Sequence, residues 1–151
     1  MQRTFVIGVR VAVSLALALL VAPRALRAQS GKAAVVIPAG ELKWMDNAAV
    51  KGARLAVLWG DPKTGGYGAI KKVPAGFKFG AHTHTSDQQV IVISGSLNVI
   101  IEDGPSRAFG PGSYASIPGG KVHTADCAAG AECVYFEQQP GASDLKPVVK
   151  K

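Results

Sequence analysis

Apolar residues fall into two patterns along this chain. Val11 to Ala22 is one nearly unbroken apolar run of 12 residues, preceded by Arg3 and Arg10 and followed by the small residue Ala28. Beyond it the apolar runs are short, rich in Val and Ile, and closed by glycine, proline or aspartate, which is how strands separated by turns are written. Strands are expected at Ala33 to Ile37, Leu55 to Trp59, Tyr67 to Val73, Val90 to Ile93, Leu97 to Ile101, Arg107 to Phe109, Tyr114 to Ile117, Val122 to Cys127 and Cys133 to Glu137. Ser94-Gly95-Ser96 is expected to close a hairpin between two of these runs, and the last two are expected to pair. Glu41 to Val50 is ambiguous between an irregular arm and one helical turn, with Trp44 anchoring it to a sheet. The tail after Pro140 is expected to be loop.

Composition sharpens this into a fold class. Eighteen glycines and nine prolines in 151 residues suggest many turns, and few windows are convincingly amphipathic at helical spacing, so an all-β sandwich or barrel is favoured over a bundle. The length fits one domain that can bury its own core. The first apolar run is too short to span a bilayer comfortably and has the order of a secretory signal: basic start, apolar middle, small residue at the end. Residues 1–28 are therefore expected to be cleaved, leaving a domain over 29–151 with its core at about 53–139. The chain would then be periplasmic or secreted, without stable membrane association after cleavage.

The net charge of +7 loses its force once the leader is set aside. Seventeen basic residues less Arg3, Arg10, Arg24 and Arg27 leaves 13 against 10 acidic ones, with no basic stripe and no interleaved aromatics. No nucleic-acid partner is expected.

The chain holds three histidines, all in two glycine-bounded stretches. His82 and His84 stand two apart in an extended segment, which puts both on one face about 6.6 Å apart, close enough to aim two imidazoles at one ion. His123 follows a Pro-Gly-Gly turn. The spacing Gly76, five residues, His82-x-His84, three residues, Gln88, six residues, Gly95 resembles the first motif of the cupin superfamily, with glutamine where that family usually has glutamate. Gly112, five residues, Pro118-x-Gly120, two residues, His123, three residues, Cys127 resembles the second, with cysteine at the asparagine position.

That resemblance implies a double-stranded β-helix, or jelly-roll barrel, with a divalent transition metal held by inward side chains. His82, His84 and His123, with Gln88 as a weaker neutral donor, are the implied ligands; Fe(II) is favoured, with Mn, Ni or Zn as the other options. Without the glutamate the site keeps the full charge of the ion, which favours an anionic small-molecule ligand. Asp87, one residue from Gln88, is turned away by strand alternation.

Cys127 and Cys133 enclose a five-residue loop in a chain expected to be exported. A disulfide is the expected pairing, and the competing reading makes Cys127 an inward thiol near the metal. No nucleophile motif, phosphate-cradling loop or paired carboxylates with a case for a raised pKa are present. The leading expectation is a dioxygenase-like oxidoreductase. The alternatives are a non-enzymatic metal or small-ligand binding or sensing protein, and a metal-free structural barrel. Homodimers are common in the family, and the sequence leaves that point open.

Overall fold

Antiparallel strands ended by tight turns stack as two sheets in the computed structural model, which describes residues 33–47 and 50–149. The strands are β1 (Met45–Asp46), β2 (Arg54–Gly60), β3 (Tyr67–Val73), β4 (Lys78–Thr83), β5 (Gln88–Ser94), β6 (Leu97–Ile101), β7 (Arg107–Phe109), β8 (Tyr114–Ile117), β9 (His123–Cys127), β10 (Cys133–Gln139) and β11 (Lys146–Pro147). One sheet has the order β1-β2-β3-β10-β5-β8 and the other β11-β4-β9-β6-β7. This is the expected all-β double-sheet barrel. By contacts the chain divides into residues 1–36 and 37–151, and both sheets belong to the second unit.

Alternation decides what each strand buries. Gln88, Val90 and Val92 of β5 point inward, as do Cys133, Tyr135, Glu137 and Gln139 of β10, and between these strands Glu137 lies opposite Val90. The apolar core joins Val73, Val90, Val92, Leu97, Cys127, Cys133 and Tyr135, with Phe77, Phe79 and Phe109 packed against it.

Several expectations are corrected here. Ala33 to Ile37 forms no strand; Val35 and Val36 are exposed, and an apolar run with no sheet to bury it gains nothing from extending. The arm over Glu41 to Val50 resolves into a short 3-10 turn at Ala39–Glu41 and the strand β1, which pairs with β2. Trp44 does lie against the sheet, under the cations of Lys72 and Arg54 at 4.6 and 6.0 Å from its ring.

The expected hairpin at Ser94-Gly95-Ser96 is a corner instead. β5 pairs with β10 and β8, whereas β6 pairs with β7 and β9, so the chain changes sheets there. Gly95 has φ +76°, and a Cβ on it would stand 2.7 Å from the Glu132 carbonyl oxygen. Only glycine turns this corner without displacing the neighbouring strand. β9 and β10 likewise lie in different sheets and do not pair; a disulfide between Cys127 and Cys133 joins them. The tail is not all loop, since β11 pairs with β4 through Lys146 opposite Thr83 and Pro147 opposite His82. The expected leader, residues 1–28, lies outside the described residues. Among the described residues no helix is long and apolar enough to cross a membrane.

Candidate metal centre

The three histidines converge. His82 on β4 lies directly opposite His123 on β9, and His84 follows one residue past the end of β4 on the same face. Ring centroids are 4.2 Å apart for His82 and His123, 5.0 Å for His82 and His84, and 5.2 Å for His84 and His123. One ring nitrogen from each lies within 4.8 Å of the others. All three side chains are buried, at 3%, 8% and 2% exposure in chain order.

Each ring has one nitrogen spoken for. Nδ1 of His82 lies 2.7 Å from the Gly80 carbonyl, Nδ1 of His123 lies 3.0 Å from the Lys121 carbonyl, and Nδ1 of His84 is bonded to the Asp144 carbonyl. A carbonyl only accepts, so Nδ1 carries the proton in each ring and Nε2 is left with a free lone pair. Nε2 of His84 is buried with no hydrogen-bond partner. An orphaned buried acceptor is costly, and its neighbours here are two further imidazoles, so the arrangement fits a cation that all three nitrogens share.

Protonation is disfavoured in the same place. Burial pushes the His123 imidazole down to about 4, only partly countered by its bond to Lys121. Burial also lowers His82, and His84 beside it adds to the effect. Neutral rings are the form a metal requires.

Gln88 lines the same cavity, where its Nε2 donates to Glu137 Oε2 at 2.8 Å. An ionised carboxylate accepts only, which fixes which end of the amide faces Glu137 and turns Oε1 away from it. Asp87 faces outward and accepts from the Gly119 amide at 2.8 Å. Cys127 is taken up in the disulfide, so the competing reading of it as an inward thiol falls.

Glu137 was not among the residues singled out from sequence, nor were its partners other than Gln88. Besides Gln88 it accepts from Lys71 Nζ at 2.5 Å, from Gln139 Nε2 at 3.1 Å and from the Tyr67 hydroxyl. Burial alone would raise its pKa, but Lys71 and these hydrogen bonds outweigh it and hold the carboxyl below its ordinary value. Burial and the Glu137 charge together push the Tyr67 phenol up. The available signal was parity, because Glu137 shares the inward phase of Cys133 and Tyr135, and Lys71 that of Ala69 and Val73.

The comparisons with known proteins agree with this fold. The profile of the family described as the ChrR cupin-like domain matches residues 32–141. Among solved structures, KdgF from Halomonas sp. is 22% identical and has a TM-score of 0.58, covering 72% of this chain and 94% of that one. The polyketide cyclase RemF from Streptomyces resistomycificus is 18% identical with a TM-score of 0.64, covering 79% and 88%. The DMSP lyase DddQ from Ruegeria pomeroyi DSS-3 is 18% identical with a TM-score of 0.55, covering 70% and 60%. At these identities the likeness is one of fold. No curated protein matches the chain. With two sheets in the order described, three inward histidines, and a family profile spanning most of its length, the chain belongs to the ChrR cupin-like family within the cupin superfamily.

Proposed function

We propose that this chain is an exported cupin that holds a divalent transition metal on His82, His84 and His123, with Gln88 Oε1 as a fourth neutral donor, and acts on a small anionic molecule as a dioxygenase-like oxidoreductase. The observation that carries the reading is the donor set: three clustered imidazoles and an amide, with the nearby carboxylate of Glu137 already saturated by four donors. When bound, an iron ion would supply Lewis acidity and electron transfer to oxygen and a chelating substrate.

The chain's own residues do the rest. The three Nδ1–H bonds hold the rings in one tautomer, and Glu137 holds the Gln88 amide. Lys71 pairs with Glu137 and Lys146 with Asp144, so both nearby carboxylates are already offset and an anion is the ligand that balances the ion. The cavity they line, about 120 Å³, suits a small molecule rather than a polymer. The disulfide supports export to an oxidising compartment, periplasmic or extracellular.

A second reading is metal-assisted chemistry without oxygen. Its support is that two of the similar folds are a cyclase and a DMSP lyase.

Elemental analysis of the purified protein beside its His84→Ala variant tests the shared core of both readings. Metal held by the wild type and lost by the variant is the expected result, and metal absent from both, or equal in both, would sink them. Oxygen uptake by the iron-loaded protein, screened with enolisable acids and their neutral esters, separates the two. Uptake with the acids alone supports the first reading; conversion of the acids with no uptake supports the second.

A further inference from the structure

The three histidines are not held in the same way. His82 and His123 each bond a carbonyl two residues back on their own stretch of chain, Gly80 within β4 and Lys121 just before β9, so the local backbone sets them. His84 bonds the Asp144 carbonyl, 60 residues away. Among the described residues, no hydrogen bond from His84's own stretch of chain orients its ring.

What holds that carbonyl in place is a chain of contacts outside the barrel core. The Asp144 carboxylate accepts from the Thr85 amide at 2.9 Å and from the Thr85 hydroxyl, so the residue after His84 clamps the residue that orients it. Lys146 Nζ donates to Thr85 Oγ1 at 2.7 Å and lies 3.4 Å from Asp144 Oδ2. β11 then pairs with β4, and Val148 N donates to the Ala81 carbonyl at 2.8 Å. Ahead of them, Ser143 N donates to the Pro62 carbonyl at 2.8 Å. Ser143, Asp144 and Leu145 also line the cavity beside the histidines.

We infer that the C-terminal segment Ser143 to Val148 is part of the metal site, with Asp144 as a positioning residue that sets the tautomer of His84 through its main-chain carbonyl while its carboxylate, clamped by Thr85, keeps the segment docked. The inference rests on the metal reading above. Releasing the segment leaves His84 free to carry its proton on Nε2, the nitrogen aimed at His82 and His123, and a ring in that tautomer offers the ion nothing. Coupling runs both ways: whatever holds Nε2 of His84 also favours the docked segment.

The experiment compares the full-length wild type with Asp144→Ala and with Thr85→Val. Asp144→Ala also removes a carboxylate oxygen 4.0 Å from the His84 ring, whereas Thr85→Val loosens the clamp and leaves that charge in place. Two readouts are taken: Zn(II) affinity by competition with a chelating dye, and the histidine tautomers of the metal-free protein by long-range 1H–15N NMR. Expected are a Zn(II) affinity about tenfold lower in both variants, the low end of the range for losing an outer-shell partner, and a shift of His84 alone toward the Nε2–H form. Wild-type binding with equal affinity in both variants, or a loss of affinity with the His84 tautomer unchanged, would overturn this inference and leave the metal reading standing. A wild type that takes no Zn(II) or iron would overturn both.

Discussion

The two ends of the barrel interior are built on the same strands and differ in almost everything else. β5 runs inward from Gln88 through Val90 to Val92, β10 from Gln139 and Glu137 through Tyr135 to Cys133, and β9 from His123 through Ala125 to Cys127. One end is thus polar, with histidines, Gln88, Glu137 and Tyr67, and the other is Val73, Val92, Leu97 and the disulfide. A β sheet allows this because alternation fixes which residues face inward and leaves their chemistry free along the strand. Stability and chemistry are therefore carried by separate segments of each strand, and a change at one end can be read without much interference from the other.

The strongest way to break that separation is Glu137→Ala. It leaves Lys71 as a largely buried cation without its carboxylate and strands three further donors, so a loss of about 4 kcal/mol is expected in urea unfolding, with weaker metal retention as well. Leu97→Ala should cost about 3 kcal/mol through its cavity and leave metal binding intact, and a comparable loss of metal would show that the ends are not independent.

Acid should act on the polar end alone. His123 titrates near 6.5 when unfolded and at about 4 when folded, so between those values the unfolded chain binds more protons and stability falls as pH drops. For the metal-free protein the loss reaches about 3 kcal/mol by pH 4, with His82 adding in the same direction. Thermal melting followed from pH 7 to pH 4 checks this; a flat profile would contradict it.

The smallest effect belongs to the disulfide. Replacing Cys127 and Cys133 by serine should cost about 2 kcal/mol by the chain-entropy estimate for so short a loop and leave the histidine tautomers untouched.

The all-β class, the inward histidines and the disulfide were legible in the sequence because each depends on local spacing or on residue types with few uses. The sheet pairing was not. Leu97 to Ile101 reads the same whether it folds back on β5 or crosses to the other sheet, because the choice is made by partners far along the chain. The polar network was missed for a related reason. Lys71 and Glu137 are 66 residues apart and look like ordinary surface charges until the pairing of β3 with β10 sets them side by side. The tail looked like loop because β11 has only two residues and because the partners of Asp144, His84 and Thr85, lie about 60 residues earlier in the chain.

Gly119 occupies the position that the Pro-x-Gly pattern leaves unspecified, yet here it is anything but interchangeable. A Cβ there would sit 2.4 Å from the Thr85 carbonyl oxygen, beside His84. Even alanine would force apart the loop before β9 and the backbone just past β4. Swapping this turn in from a cupin whose middle residue has a side chain would misalign His84 and His123 while every motif letter still matched.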